Sequence, residues 1–410
     1  MDQRVVVTGV GVVSSVAQSV PEFVAALRAG RSGAGPVTLF DTTGFAHAPG
    51  CEVVGFDPRR WLGPAAVAGL GRAAQFSASA ARMAVADAGL TAAGLLDRRV
   101  LVSVGTTDGG SYELDQLVAA EIAGGPGAMP AALVRRVPAG ALSVGVAREL
   151  GLARAHAVTL GTACSAGNYA IGEGLDALRA GEADIALCGG ADAMCRRNFT
   201  GFYRLGLIAP HSCQPFDVDR QGIVTGEGAG MLVLETEGSA RRRGARIYAE
   251  VRGFGLTCDA HHQTTPHQDG VARCMRLALA DAGVEPGEVD VISAHGTGTK
   301  ANDRTESRAI HEVFGRRPPR TVGLKSMLGH TMGAASALAG IACVLAIRDQ
   351  FIPPTINHHR TDPDCALDCV PNRAVSARVR IAQNNGLAFG GNNAVVVFGE
   401  HQPEQRPEGR

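Results

Sequence analysis

A short pattern occurs twice in this chain and constrains its fold more than any other feature. A helix-like segment ends in DAGL at residues 87–90, and the strand-like segment after it runs into Gly105-Thr106. A second helix-like segment ends in DAGV at residues 281–284, and its strand runs into HGT at residues 295–297. Because the order of helix, turn, strand and Gly-Thr step recurs, the sequence predicts two related halves.

The boundary between the halves is predicted at Gly244-Ala245, after an arginine-rich segment, so that the first spans residues 1–244 and the second residues 245–410. Strand-like and helix-like segments alternate along most of the chain, which indicates a layered α/β fold. The predicted strands are residues 4–8, 100–104, 157–160, 185–188, 231–235, 289–293, 379–383 and 394–398. The predicted helices are residues 22–29, 73–88, 165–180, 271–282, 304–314 and 334–348.

Charge and composition exclude several classes of function. Lys+Arg and Asp+Glu both number 39, so no global positive field favours nucleic acid or an anionic membrane. Aromatic residues make up 4%, too few for a base-stacking surface. No segment approaches the roughly 20 apolar residues that cross a bilayer, and no export signal is recognisable. We therefore expect a cytoplasmic protein with no nucleic-acid or membrane partner, whose ten cysteines are reduced thiols.

The first candidate for chemistry is Cys164, in the small-residue segment GTACSAG at residues 161–167. A predicted strand enters this segment and a predicted helix leaves it, which places the thiol at a helix N-terminus. Unpaired N–H groups and the helix dipole favour negative charge there, and the thiolate is the nucleophilic form of cysteine. The same N–H groups are suited to hold an oxyanion. The alternative is a buried structural cysteine, and this pattern alone does not decide between the two.

A histidine follows a predicted strand in the segment HGTGT, which begins at His295. The carboxyl end of a strand is where α/β folds place reacting groups. The hydroxyls of Thr297 and Thr299 suit a polar ligand chain. The alternative is a turn with an exposed histidine.

A second histidine, His330, ends the segment GLKSMLGH and precedes a very apolar helix. Lys325 lies in the same segment, and an ionisable group at the mouth of a buried helix is costly unless it is paired. Glu306 is the natural partner. The alternative is a capping histidine beside a surface lysine. A glycine-rich segment, FGGNN at residues 389–393, allows close backbone approach but is a weak signal alone.

Together these segments resemble the β-ketoacyl synthase family of the thiolase superfamily, specifically its KAS II-like type II members. Further similar segments are RVVVTGVG at residues 4–11, LRAGRSG at 27–33, PFD at 215–217 and GEGAG at 226–230. The motifs occur in the family's order over nearly the whole chain. The resemblance implies a thiolase-like, five-layered α/β/α/β/α fold with two pseudo-duplicated halves. The first half would carry the nucleophilic cysteine and the second both catalytic histidines.

The resemblance also implies a reaction. Cys164 would accept an acyl chain, and His295 and His330 would hold the oxygen of the extender thioester as an enolate develops after loss of carbon dioxide. Lys325 would be structural and electrostatic, paired with Glu306 and Asp303. The other implied roles are phosphopantetheine binding by Thr297 and Thr299, and an oxyanion hole from the N–H groups of Cys164 and Phe389.

The implied function is a β-ketoacyl-acyl carrier protein synthase, an acyltransferase that performs decarboxylative Claisen condensation with malonyl-acyl carrier protein. No metal or organic cofactor is needed if fixed donors meet the developing negative charge. The implied partners are acyl carrier protein and either a second copy of this chain or a chain-length-factor-like subunit.

Two departures from the family pattern concern the gates of the site. The usual aromatic gate is Leu387 here, and the usual acidic residue before Gly222 is Gln221. Gly298 is typical of polyketide synthases, whereas Asn302-Asp303 is typical of freestanding fatty-acid enzymes. This mixture favours a freestanding ketosynthase of a polyketide or polyene pathway. The alternatives are primary fatty-acid elongation and a non-catalytic chain-length-factor-like subunit.

Two other hypotheses fit the sequence poorly. A nucleotide-binding loop after the first strand lacks its third glycine, since Ser14 stands there. A metal site at His261-His262 or His358-His359 lacks spaced acidic or cysteine partners, and adjacent histidines point in different directions.

Overall fold

The computed structural model describes residues 3–402, so the outermost residues of both predicted halves lie outside the described part. The strands are β1 (Val5–Ser14), β2 (Gly35–Pro36), β3 (Pro49–Cys51), β4 (Val100–Gly105), β5 (Ala155–Leu160), β6 (Ile185–Asp192), β7 (Thr225–Gly226), β8 (Gly228–Thr236), β9 (Ala249–Cys258), β10 (Val291–Ser293), β11 (Arg320–Val322), β12 (Phe351–Ile352), β13 (Val375–Ser376), β14 (Ile381–Gly386) and β15 (Asn392–Gly399).

The helices follow in the same chain order. They are α1 (Val20–Ala29), α2 (Pro64–Gly69), α3 (Arg72–Asp87), α4 (Ala92–Leu95), α5 (Ser111–Gly124), α6 (Ala131–Val134), α7 (Ala141–Glu149), α8 (Ala166–Arg179), α9 (Arg196–Arg204), α10 (Glu237–Arg242), α11 (Gln268–Ala282), α12 (Lys300–Phe314), α13 (Lys325–Leu328) and α14 (Ala334–Asp349). Short 3₁₀ turns at Ala163–Ser165 and Phe389–Gly391 matter for the site.

Ten strands form a mixed sheet in the order β11-β10-β14-β15-β9-β1-β8-β6-β4-β5. Outward from the β1–β9 junction, the strands run β1, β8, β6, β4, β5 on one side and β9, β15, β14, β10, β11 on the other. On both sides the first two pairings are antiparallel and the next two are parallel. The same five-strand topology therefore occurs twice, joined where residues 5–7 pair with residues 249–251.

Helices cover both faces of the ten-stranded sheet. α8 and α14 pack against each other and contact strands of both five-strand units, so they form a central layer. α3 and α7 lie on the outer side of the first unit, and α11 and α12 on that of the second. The predicted α/β/α/β/α layering is confirmed. α14 is buried from Ala334 to Ile347, as expected for a helix that is apolar all round.

The sequence missed one major strand. β9 alternates between buried and exposed positions, but Glu250, Arg252 and two glycines interrupt its apolar pattern. It nevertheless forms because β15 and β1 pair with its two edges. The predicted strand at 289–293 is shortened to β10, because a 3₁₀ turn occupies Pro286–Glu288.

Candidate active site

A cavity of about 860 Å³ lies at the junction of the two halves. The first half contributes Cys164 and Phe202, and the second contributes both candidate histidines. The other predicted site residues that line it are Thr297, Thr299, Phe389, Leu387 and Gln221. The predicted residues that do not line it are Lys325, Glu306 and Asp303, which are buried.

Cys164 lies in the sharp 3₁₀ turn that connects β5 to α8. The residue before it, Ala163, has a φ of 54°, in the left-handed region that costs a non-glycine residue about 1 kcal/mol. Such a strained turn between strand and helix is the geometry that presents a nucleophile above a sheet. The side chain is 5% exposed, and that small exposure is toward the cavity.

The resting thiol is protonated, contrary to the thiolate that the helix N-terminus favoured. Burial raises the pKa of Cys164 to about 12, and the positive charge of Lys325 opposes this rise. The negative charges of Asp192 and Asp108 raise the pKa further. The sequence indicated that Cys164 lies at a helix N-terminus, but it did not indicate how completely the fold removes the Cys164 sulfur from water.

Alkylation of Cys164 should report this protonation state. We expect its rate with iodoacetamide to rise about tenfold per pH unit from pH 7 to pH 9, without a plateau, because the thiolate fraction rises in that proportion. Mass spectrometry of the peptide that contains Cys164 measures the rate. A free thiol such as glutathione, whose pKa is about 8.5, serves as the control. A plateau below pH 9 at Cys164 would contradict a strongly raised pKa.

His295 is held by its backbone and by one ring nitrogen. Its N–H donates to Glu306 Oε1 at 2.8 Å. Lys325 Nζ donates to the His295 carbonyl and lies 3.3 Å from His295 Nδ1. An ammonium group has no acceptor capacity, so Nδ1 accepts and the proton of the neutral ring is on Nε2.

His330 is held in the same tautomer by a different donor. The Met332 N–H donates to His330 Nδ1 at 3.1 Å, which leaves the ring proton on Nε2. The two rings are nearly perpendicular, with centroids 5.6 Å apart. Burial lowers the pKa of both imidazoles well below the ordinary value, and the charge of Lys325 lowers them further. Two neutral imidazoles, each with an Nε2–H donor, therefore line the same cavity.

The predicted pairing of Lys325 with Glu306 and Asp303 needs correction. Neither carboxylate forms an ion pair with Lys325, and both act on it only through charge at longer range. Glu306 instead accepts from the N–H groups of His295 and Gly296 and from Asn385 Nδ2. The carboxylate thus fixes the loop of His295, while the ammonium fixes its ring.

Asp303 serves a neighbouring loop. Its carboxylate accepts from the N–H groups of Phe216 and Gly298 at 2.8 and 3.2 Å, and Arg220 lies 3.5 Å away. Burial raises the pKa of Asp303 to about 6, and the Phe216 N–H, the charge of Arg220 and the Asn302 side chain oppose this rise. Asp303 therefore joins the HGTGT loop to the PFD segment.

The remaining predicted residues surround the cavity. The hydroxyls of Thr297 and Thr299 lie 2.9 Å apart, and Thr299 caps α12 by accepting from the Asn302 N–H. Gln221 is exposed, whereas Leu387 is 1% exposed and packs within the core of the second half. Their roles as gates stay predictions.

Two backbone N–H groups, those of Cys164 and Phe389, are the predicted oxyanion donors. Neither the Cys164 N–H nor the Phe389 N–H donates to another residue within the described chain. Gly390 and Gly391 follow Phe389 with φ of 80° and 78°, values that an L side chain rarely adopts. These glycines let the backbone turn sharply beside the cavity.

Sequence reasoning missed the residues that join α8, the helix that follows Cys164, to the second half of the molecule. Asn168 Nδ2 donates to the carbonyls of Asn384 and Ala394, and Asn384 Nδ2 donates back to Asn168 Oδ1 at 2.8 Å. Ser336 Oγ accepts from the Asn168 N–H. The central layer is therefore joined by a buried polar network, which positions Cys164 relative to the histidines. The signal in the sequence was that these polar residues occur within apolar segments. No residue close to them in the sequence indicated a hydrogen-bonding partner.

The alternative metal sites receive no support. Residues 3–402 contain no cluster of three or more side chains able to bind a metal ion. His358 instead bonds to Thr361 Oγ1 and the Pro215 carbonyl. No helix within the described range is long and apolar enough to cross a membrane.

Comparison with known proteins gives consistent findings. Residues 2–240 match the family model for the β-ketoacyl synthase N-terminal domain, and residues 248–359 match that for the C-terminal domain. Nodulation protein E of Rhizobium sp. (strain N33) is 39% identical, with 97% of this chain and 99% of that protein covered. A 3-oxoacyl-[acyl-carrier-protein] synthase 2 of Synechocystis sp. is 36% identical, with 98% and 99% covered.

Solved structures agree. The ishigamide ketosynthase/chain length factor is 60% identical with a TM-score of 0.97, over 98% of this chain and 100% of that chain. A type II polyketide synthase ketosynthase in complex with its acyl carrier protein, AntDE:AntF, is 32% identical with a TM-score of 0.90, over 98% and 100%. The predicted thiolase-like fold is confirmed by these matches.

Proposed function

The chain belongs to the β-ketoacyl synthase family, and from that premise we propose that it is a freestanding ketosynthase of a polyketide or polyene pathway. It is an acyltransferase of the 3-oxoacyl synthase type. One observation carries the assignment of roles. A buried thiol and two neutral imidazoles, each with its proton on Nε2, line one cavity.

Acyl loading is the first step. The Cys164 sulfur attacks the carbonyl carbon of an acyl thioester, the carbon–sulfur bond to the carrier breaks, and the carrier thiol leaves with the proton that Cys164 gives up. The N–H groups of Cys164 and Phe389 stabilise the oxyanion of the intermediate. The charge of Lys325 and the N-terminus of α8 stabilise the transient thiolate.

Decarboxylation is the second step. The carbon–carbon bond to the carboxylate of a malonyl thioester breaks, carbon dioxide leaves, and the electron pair becomes an enolate. The Nε2–H groups of His295 and His330 donate to its oxygen. Because both rings are neutral, they stabilise this charge as hydrogen-bond donors without titrating. No metal or organic cofactor takes part in the proposed reaction.

Condensation completes the cycle. The enolate carbon attacks the acyl carbonyl on Cys164, and the tetrahedral intermediate collapses with loss of the Cys164 thiolate, which regains a proton. The product is a 3-ketoacyl thioester two carbons longer than the acyl substrate. The same oxyanion hole serves this step and the loading step.

The proposed partners are acyl carrier protein and a second ketosynthase-like subunit. A ketosynthase relative is described in complex with its acyl carrier protein, and two structural relatives include a chain length factor. Thr297 and Thr299 lie along the cavity, where a phosphopantetheine arm would pass. All ten cysteines are free, in agreement with the cytoplasmic location proposed from the sequence.

The pathway assignment has its own test. We expect polyunsaturated acyl-carrier substrates to be elongated about tenfold faster than saturated ones of equal length, because Leu387 lines the cavity where the family has an aromatic gate, and because the ishigamide ketosynthase/chain length factor is 60% identical to this chain. Mass spectrometry of the carrier-bound products measures each rate in the presence of malonyl-carrier protein. Equal use of saturated chains up to long lengths would contradict the pathway assignment and favour fatty-acid elongation. No condensation with any chain, alone or with a partner subunit, would favour a non-catalytic subunit.

A further inference from the structure

A buried carboxylate at the end of β6 accepts an unusual number of hydrogen bonds. Asp192 is fully buried. Its Oδ1 accepts from Thr106 Oγ1 at 2.5 Å and from the Asp108 N–H at 3.0 Å. Its Oδ2 accepts from the Thr107 N–H at 2.8 Å and from the Gly333 N–H at 2.6 Å. Three of these donors belong to one loop after β4, whereas Gly333 belongs to the other half of the molecule.

Gly333 lies directly after the turn that carries His330. Met332 in that turn has a φ of 51°, a strained value for a residue with a side chain. The Met332 N–H is the donor that holds His330 Nδ1. The carboxylate of Asp192 thus holds the peptide group between Met332 and Gly333. The preceding N–H, that of Met332, is the donor that determines the tautomer of His330.

Backbone packing around this turn is equally close. A Cβ added to Gly333 would lie 2.5 Å from the Thr106 Cα, and one added to Gly190 in β6 would lie 2.3 Å from the Gly333 carbonyl oxygen. Both contacts are shorter than real Cβ atoms allow. The turn therefore sits against β6 and the β4 loop with no room to shift while Asp192 holds it.

We propose that Asp192 is a positioning residue for His330, which holds the turn at Met332 and Gly333 so that the proton of the imidazole stays on Nε2. The inference rests on the proposed role of His330 in decarboxylation. Asp192 reaches that ring only through the backbone.

The chemistry of the four donors distinguishes two substitutions. In Asp192→Ala no acceptor remains for the Gly333 N–H. In Asp192→Asn the amide oxygen can take the place of Oδ2 and keep the Gly333 and Thr107 bonds, while the NH₂ group donates to the Thr106 hydroxyl and the Asp108 N–H loses its acceptor. The asparagine variant therefore keeps the position of the turn although it loses the charge.

The experiment measures two half-reactions and one spectroscopic signal. Malonyl-carrier decarboxylation should fall about 10-fold to 100-fold in Asp192→Ala, as for a small misplacement of a catalytic group. It should be largely restored in Asp192→Asn. Alkylation of Cys164 should not slow in either variant. In protein labelled with ¹⁵N-histidine, the His330 signals, assigned with His330→Ala, should lose the pure Nε2–H pattern in the alanine variant only.

The matched control is Asp184→Asn, at the opposite end of the same strand, where Asp184 pairs with Arg99 at 2.6 Å. We expect this variant to behave as wild type. If Asp192→Ala does not fold by circular dichroism, Asp192→Ser replaces it. The serine hydroxyl lies one bond closer to the backbone than the carboxylate oxygens and does not reach the Gly333 N–H, so the tautomer and the decarboxylation rate should change as in Asp192→Ala.

Two results would overturn the inference. One is an alanine or serine variant with the wild-type tautomer and rate. The other is an asparagine variant as slow as the alanine variant with an unchanged His330 spectrum, since the charge alone would then matter. Failure of wild-type protein to decarboxylate malonyl-carrier protein would instead contradict the proposed function.

Discussion

Replacement of Cys164 by alanine is expected to abolish condensation, with a loss of at least about 10⁴-fold, while malonyl-carrier decarboxylation stays within about an order of magnitude of wild type. The reason is the separation of roles in the cavity. Without the sulfur no acyl-enzyme should form, but the two Nε2–H groups proposed to stabilise the enolate come from other segments. Intact-protein mass after incubation with acyl-carrier protein measures loading, and release of ¹⁴C-carbon dioxide measures decarboxylation.

The control for this variant is Cys343→Ala. Cys343 is also a buried thiol, but it lies in the core of α14 and does not line the cavity. It should load and condense at nearly the wild-type rate. Acyl loading that persists in Cys164→Ala, or that disappears equally in both variants, would show that Cys164 is not the nucleophile.

Replacement of His330 by alanine is expected to give the opposite separation. Decarboxylation should fall about 10²-fold to 10³-fold, the cost of one oxyanion donor. Acyl loading of Cys164 should continue, because the oxyanion donors proposed for that step are the N–H groups of Cys164 and Phe389. The same two measurements, mass of the acyl-enzyme and release of carbon dioxide, report both effects.

The control here is His311→Ala. His311 caps the end of α12 through Nδ1, 3.1 Å from the Gly315 carbonyl, and does not line the cavity. Neither half-reaction should change in this variant. Wild-type decarboxylation by His330→Ala would remove that ring from the mechanism.

Most helices and strands could be predicted from the sequence, because their apolar residues recur with the period of a helix or a strand. The apolar helix at 334–348 and the strand at 185–188 could be predicted locally, since their neighbours only cover them. β9 could not, because charged residues and glycines interrupt its pattern and its stability comes from pairing with β1 and β15. Pairing between distant strands leaves little local signal.

Several of the side chains that line the cavity could be predicted from the sequence. Small-residue turns at strand ends singled out Cys164 and His295, because that position is visible in the sequence. The hydrogen-bonding partner of Lys325 could not be predicted. A charge-pairing argument selects Glu306, but in the folded chain Glu306 meets two backbone N–H groups and Lys325 meets the carbonyl of His295.

Asp192 was missed for a related reason. Backbone donors that converge from two distant loops satisfy its carboxylate, and backbone donors have no sequence signature.

A single-turnover experiment tests the central claim most directly, namely that the Cys164 thiol carries the acyl chain until the carbon from the malonyl group takes it up. Enzyme carrying an acyl group is isolated and mixed with malonyl-carrier protein labelled with ¹³C at the two retained carbons. Peptide mass spectrometry should find the acyl group on Cys164 before mixing. After mixing, that adduct should disappear at the same rate as a 3-ketoacyl carrier product heavier by the two labelled carbons appears. An acyl group on any other residue, or an adduct on Cys164 that persists while product forms, would contradict the account.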